Sequence, residues 1–291
     1  MTVRMTVDDL VELLRLERLD TYLFRGASPA GGTPRVYGGQ LLAQSVMAMG
    51  RSAIGQRWLH SLQGYFLRPG DITRDMLFRI EPIREGRGFS TLALSVLQND
   101  KPIFTASASF QAQEGSDEWR ASMPRVAEPE ALESEEQFLA RVGSLDRSNG
   151  AVNPAFFHAL IERRSADWRH PVMPGRRAPK AGFWCRIRQP LGDDPLVHQA
   201  LLAYVSDLDL MATAMRPRGI GGLHPAAQAA SLDHVMWFHA PVRADRWFYY
   251  DIEGACSVGN RGLGRGEIYQ DGQLVSTTMQ EGLLRVNAKF E

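Results

Sequence analysis

The chain has 291 residues, with 33 Lys and Arg against 33 Asp and Glu, 44% hydrophobic and 23% charged residues, the balance of a folded globular protein. That length suggests about two domains, or one large one, with a sizeable apolar interior. Zero formal net charge removes the broad field on which non-specific nucleic-acid or anionic-membrane binding relies, so an anionic ligand has to be held by a few local Arg or Lys side chains.

Thr6 can cap a first helix with Asp9 three residues on, after which Leu10, Leu13, Leu14 and Leu19 recur at helical spacing. Gly31 to Pro34 breaks the chain, and Gly38-Gly39 leads into an apolar helix over Gln40 to Met49. Strand-like stretches follow at Leu59 to Leu67, Met76 to Ile83, Ser90 to Gln98 and Pro102 to Gln111, separated by turn signals such as Asn99-Asp100. From Ala112 to Pro179 the chain changes character, Glu-rich at 128 to 136 and dense in Pro and Arg at 171 to 179, with an apolar patch at Ala155 to Ile161. This reads as an ordered but irregular connection. The earlier order then returns: a strand at Phe183 to Ile187, a long helix from Pro195 to Met215, and strands at Ser231 to His239, Trp247 to Glu253, Leu263 to Tyr269 and Leu274 to Leu284.

The second half therefore repeats the first. Tyr65 to Pro69 aligns with Trp237 to Pro241 at an offset of 172, Asn99 to Thr105 with Gln270 to Ser276 at 171, and Leu41 to Ala43 with Leu201 to Ala203 at 160. Each half reads as an α+β unit in which an antiparallel sheet curls around one long helix, which explains a helix apolar on every side. The expected division is 1–112 and 181–291 for the two units, with 113–180 connecting them.

The longest apolar runs, such as Leu41 to Ala43 and Met236 to Phe238, fall far short of the ~20 residues of a membrane span, so none is expected. The N-terminus carries Asp8 and Asp9 and lacks a signal-peptide core, and two cysteines, Cys185 and Cys256, suit reduced thiols better than a disulfide framework. A cytoplasmic location follows. No Gly-x-Ser-x-Gly elbow, Cys-x-x-Cys or His-x-x-x-His metal spacing, or phosphate loop occurs in the sequence, which disfavours metal and nucleotide chemistry.

Five stretches in order, Val36 to Gln40, His60 to Asp71, Pro102 to Gln111, Leu232 to His239 and Gln280 to Arg285, resemble the acyl-CoA thioesterase II (TesB-like) family. The resemblance implies a double hotdog fold and hydrolysis of medium- or long-chain acyl-CoA to a fatty acid and CoA, with no metal or other cofactor and no covalent intermediate. It also implies a homodimer or homotetramer, for which exposed sheet edges give a physical reason. The family's active site is an Asp on the second long helix, a Ser or Thr at the start of the following strand and a Gln on the last strand. These fall on Asp207, Ser231 and Gln280, with Ser where many relatives carry Thr.

Those residue types suit the chemistry. Thioester hydrolysis needs a water deprotonated and oriented, and donors for the oxyanion. A carboxylate on an apolar helix is partly desolvated and can act as base, while a hydroxyl and an amide orient the water. The glycine-rich start of the first helix, Gly38, Gly39 and Gln40, is the candidate oxyanion site. Asp209, two residues on, falls on a different helix face and reads as a decoy. His60, His234 and His239 stay outside the catalytic set, His234 being placed beside the site. Arg87, Arg261 and Arg265, near glycine turns, are candidates for the CoA phosphates. Mapped through the repeat, Asp207, Ser231 and Gln280 fall on Met47, Leu59 and Ser109, so one hydrolytic centre per chain is expected. Two other readings remain: an enoyl-CoA hydratase-like enzyme, for which Asp193-Asp194-Pro195 and His198 come near the pattern, and a non-catalytic acyl-CoA-binding sensor.

Overall fold

The computed structural model describes residues 5–29, 35–55, 57–142, 157, 159–170, 172, 175–221, 224 and 226–286. Its strands are β1 (Glu17–Asp20), β2 (Leu23–Gly26), β3 (Arg57–Phe66), β4 (Met76–Glu85), β5 (Phe89–Gln98), β6 (Lys101–Ala112), β7 (Ile161–Arg164), β8 (Lys180–Ile187), β9 (Ala227–Ser231), β10 (Asp233–Phe238), β11 (Phe248–Val258), β12 (Arg261–Gln270) and β13 (Gln273–Val286). The helices are α1 (Val7–Leu13), α2 (Gly38–Ser52), α3 (Glu135–Val142), α4 (Pro195–Ser206) and α5 (Leu210–Thr213). One antiparallel sheet runs in the order β1-β2-β4-β5-β6-β3-β10-β13-β12-β11-β8-β7, with β9 also on β13.

That order is a palindrome about the β3–β10 pair. Gln63 faces Val235 at its centre, with Ser61 opposite Trp237 and Tyr65 opposite Asp233, so strands 172 residues apart are related by a local twofold axis. The same offset relates the hairpin residues Asn99 and Asp100, at φ 50° and 59°, to Asp271 and Gly272, at φ 51° and 77°. It also relates the bulges that skip Ile103 in β6 and Val275 in β13. The expected offset of 171 here is therefore corrected by one residue. A one-residue slip moves every side chain to the other face of a strand, so Gln280 corresponds to Ala108, not Ser109.

The helices obey a different offset. α2 packs on β3, β4, β5 and β6 and against α4, and is buried from Gly39 to Met49. A Cβ on Gly39 would lie 2.3 Å from the Tyr204 carbonyl, and one on Gly50 would lie 2.4 Å from Leu196 Cδ1. Tyr37 and Asp194 occupy the matching N-cap positions 157 residues apart. Asp207 thus corresponds to Gly50, not Met47, and the first-half counterpart of the site holds Gly50, Leu59 and Ala108, with Leu196 packed against it.

The Thr6 capping box forms as expected. Leu19 is not in that helix; it lies in β1, 39% exposed. The connection is more regular than expected, since α3 and a 3-10 turn at Pro129–Ala131 precede β7, which adds the outermost strand to β8. Part of the patch at 155–161 lies outside the described residues; Phe157, Leu160 and Ile161 are buried.

The expected helix over 195–215 is also corrected. α4 ends at Ser206, Asp207 is its C-cap, Asp209 adopts left-handed backbone at φ 59°, and α5 and a 3-10 turn at Arg216–Arg218 follow. Phenols take the last carbonyls: Tyr37 Oη donates to Tyr204 O at 3.0 Å and Tyr250 Oη to Ser206 O at 2.8 Å. Unpaired C-terminal carbonyls are what a helix end must satisfy, and here tertiary partners do so. Beyond the break, α5 presses onto the sheet where glycines leave room, Leu210 O lying 2.2 Å from a Cβ built on Gly264.

Candidate active site

Asp207 leaves the end of α4 toward the start of α2. Its Oδ2 accepts the Gly39 backbone N–H at 2.9 Å and its Oδ1 accepts Gln280 Nε2 at 2.6 Å. Tyr37, the α2 N-cap, supplies no side-chain cap, so a carboxylate from another helix serves at that end, where the helix dipole favours negative charge. Gly38 makes the approach feasible, since a Cβ there would lie 2.7 Å from Asp207 Oδ2.

Gln280 sits in β13 opposite Gly264, and its Nε2 also reaches Ser231 Oγ at 2.9 Å. An ionised carboxylate can only accept, so the amide must present nitrogen to Asp207. Gln280 Oε1 is then a buried acceptor with no partner among the described residues. Ser231 ends β9, rather than beginning the next strand. Both β9 and β10 pair with β13, and Leu232 bulges between them, with Ser231 opposite Gly282 and Val235 opposite Met279. The first half carries the same bulge at His60, between Leu59 and Ser61. The three residues found by sequence thus converge from three elements, joined through one amide.

Burial raises the Asp207 carboxyl above its ordinary value; the Gln280 and Gly39 bonds oppose the shift without cancelling it. Burial, with the charge of Asp207, pushes the Tyr37 and Tyr250 phenols well above theirs, so both remain donors to the α4 carbonyls. Tyr37 stacks edge-on with Tyr204 and Phe157, each at 5.0 Å, closing the site on that side.

The remaining expectations fare unevenly. Gly39 lies at the site, but its N–H is engaged by Asp207, which corrects its assignment as an oxyanion donor. Gln40 turns inward, its Nε2 donating to Ala27 O at 3.1 Å, and its N–H points to Tyr37 O. His234 is wholly buried beneath the site and cannot touch a ligand; its Nε2 lies 3.0 Å from Ser206 Oγ and 3.1 Å from Thr278 Oγ1. Burial depresses it to about 3, so it is neutral and steadies the residue before Asp207. Arg87 is exposed in the β4–β5 hairpin, with β6, β3 and β10 between its strand and β13. Arg261 pairs with Glu281 at 2.8 Å, on the opposite sheet face from Gln280, and Arg265 pairs with Glu253. None of these arginines is brought to Asp207. The hydratase-like pattern is absorbed by structure: Asp194 caps α4, Asp193 binds Arg243, and His198 lies between Gly192 O and Ala244 N.

Sequence reasoning missed Tyr37, Tyr250 and Arg163. Tyr37 had one readable signal, an aromatic where a helix that begins Gly-Gly would ordinarily carry Ser, Thr, Asn or Asp. Asp209 is paired with Arg163 and not with the Asp207, Ser231 and Gln280 cluster.

One large antiparallel sheet with a buried helix in each half is the architecture of a hotdog-fold protein, and the chain belongs to the acyl-CoA thioesterase family. Residues 26–111 match the model of the acyl-CoA thioesterase N-terminal domain and residues 155–283 that of acyl-CoA thioesterase. The chain is 36% identical over 285 residues to acyl-CoA thioesterase 2 of Haemophilus influenzae, covering 96% of this chain and 98% of that one. Acyl-CoA thioesterase II TesB2 of Mycobacterium marinum superposes with a TM-score of 0.78 at 33% identity, over 96% of this chain and 98% of that one. A hot dog fold protein of Alicyclobacillus acidocaldarius, at 18% identity and TM-score 0.74, covers 95% of this chain and 97% of its own and shares the fold.

Proposed function

We propose that this protein hydrolyses acyl-CoA to a fatty acid and CoA, with Asp207 as general base and Ser231 and Gln280 orienting the water. The observation that carries the reading is the convergence of Asp207, Gln280 and Ser231 at 2.6 and 2.9 Å beside a glycine-lined helix start. Gln280 spends both N–H groups on Asp207 and Ser231, which leaves the Ser231 O–H free to donate to a water and a carboxylate lone pair free to accept from it. The water oxygen attacks the thioester carbonyl carbon as its proton passes to Asp207. The tetrahedral intermediate then expels the thiolate by C–S cleavage, and Asp207 returns the proton to sulfur. Acid and free thiol leave, with the carboxylate regenerated and no group carried covalently.

In this reading the chain is a double hotdog, with 1–112 and 181–291 as its repeats and 113–180 as connection. Only the second repeat is catalytic, because the first places Gly50, Leu59 and Ala108 at the corresponding positions. It acts in the cytoplasm as a homodimer or homotetramer. Thiol release from a panel of acyl-CoAs of increasing chain length tests the activity, comparing the unaltered protein, Asp207→Asn and the exposed control Glu81→Gln. Turnover lost only at 207 is expected. Stoichiometric binding without thiol release in the unaltered protein would replace the hydrolase with a sensor.

A further inference from the structure

We propose that Arg163 and Asp209 form a clamp that positions Asp207, although neither touches the substrate. The inference rests on the hydrolase reading, in which Asp207 is the base. Asp209 is the N-cap of α5, yet its side chain makes no capping bond and its backbone is left-handed at φ 59°. Left-handed backbone is uncommon outside glycine, and with no local capping bond the Asp209 side chain is held from outside the helix. The partner is Arg163 of β7, in the connecting segment, which binds Asp209 with one arm and Glu135 with the other at 3.0 Å. Its side chain is 7% exposed, and its guanidinium lies 4.5 Å from the Phe183 ring centre and 5.5 Å from that of Trp168. Two carboxylates and two rings fix its plane, and the rigid guanidinium fork carries that orientation to Asp209.

The clamp acts on Asp207 through the shortness of the chain between them. The backbone leaves α4 at Asp207 and must reach the sheet by Leu210, whose carbonyl abuts Gly264, the residue opposite Gln280. Leu208 and Asp209 alone span that gap. The left-handed turn at Asp209 makes the span fit, and Arg163 holds the turn from the far side. Burial works against ionisation of Asp209, but Arg163 and Arg169 outweigh it and leave its carboxyl below the ordinary range. The ion pair is thus intact wherever Asp207 is ionised. Ionisation of Asp207 itself is governed by burial, Gln280 and Gly39, none of which belongs to the clamp.

The test uses the full-length protein with Asp209→Asn, Asp209→Gly, Arg163→Lys and Arg163→Gln. Asn and Gly both tolerate left-handed backbone, so these two variants remove the ion pair that holds the turn without adding a steric clash there. A displacement near 1 Å at a reacting group costs on the order of 100-fold. We expect kcat of the folded Asp209 variants to fall about 10- to 100-fold. KM should stay within about twofold. Arg163→Lys, which keeps charge and one contact, recovers part of the activity lost in Arg163→Gln. Unchanged kcat in folded Asp209→Asn and Asp209→Gly, or a loss that only tracks the folded fraction by circular dichroism, overturns the proposal. Where the Asp209 variants do not fold, Arg163→Gln decides by the same split, and an unchanged kcat sinks the clamp. Absence of thiol release from the unaltered protein defeats the hydrolase reading itself and is distinguished by needing no variant.

Discussion

Replacing Asp207 by Asn keeps the side chain's shape and removes its ability to take a proton. General-base help typically contributes 10²- to 10⁴-fold, about 3 to 5 kcal/mol of barrier, and a loss of that size in kcat is expected. The same substitution should not harm the fold. Burial raises Asp207 above its unfolded value of 3.8, so the folded state holds that proton more tightly than the unfolded chain. The ionised form therefore costs stability at neutral pH; the cost is fully present above the raised folded value, shrinks as pH falls, and vanishes below 3.8. Asn carries no such cost. Its Oδ1 can still accept from Gly39, and a half-turn of the Gln280 amide presents Oε1, otherwise without a partner among the described residues, to the new N–H. Asp207→Asn should thus melt at or above the wild-type temperature at pH 7, with the gap closing toward pH 4, a trade of stability against activity common at such sites. Thiol-release kinetics and thermal melts across pH check both halves. Near-normal turnover, or a variant less stable at pH 7 by a margin that does not change with pH, would refute the reasoning.

Gln280→Leu removes a hydrogen bond that lowers Asp207, so kcat should fall and the acid limb of the kcat profile should move to higher pH; a limb that stays in place counts against it. Ser231→Ala leaves one buried Gln280 N–H without its 2.9 Å acceptor, which should cost about 1–3 kcal/mol by denaturant titration together with activity, whereas Ser231→Thr should retain turnover. Gly39→Ala forces a methyl to within 2.3 Å of the Tyr204 carbonyl and 2.4 Å of the Tyr37 ring; separating α2 from α4 in this way should destabilise by about 1–3 kcal/mol and abolish thiol release. Burial pushes the Cys185 thiol up to about 12, while Cys256 is exposed, so iodoacetamide should modify Cys256 alone in the native protein, as peptide mass mapping would show.

Much of this architecture can be read from local pattern. The capping box at Thr6, the apolar helix after Gly38-Gly39, the strand runs and the turn residues at Asn99-Asp100 all follow from short-range chemistry, and the internal repeat follows from their order. That Asp207, Ser231 and Gln280 meet was legible from the family motifs, which span nearly the whole chain. Register was harder. A hairpin aligned by residue similarity slipped by one, and the helix alignment slipped by three. Similarity of side chains does not count the residues in a bulge, whereas the hydrogen-bond ladder does.

The sequence by itself determined the elements, the repeat and the residue types of the site, because these depend on periodicity, turn propensity and side-chain chemistry over a few neighbours. Tertiary structure decided where the second long helix stops. Nothing local ends it at Ser206; phenols from Tyr37 and Tyr250 take its last carbonyls, and Arg163, more than 40 residues upstream, holds the left-handed Asp209. It also decided that Gly39 serves Asp207 and that His234 lies beneath the site. Those outcomes depend on which distant groups meet, and a helix end or a buried charge settles only when its partner arrives.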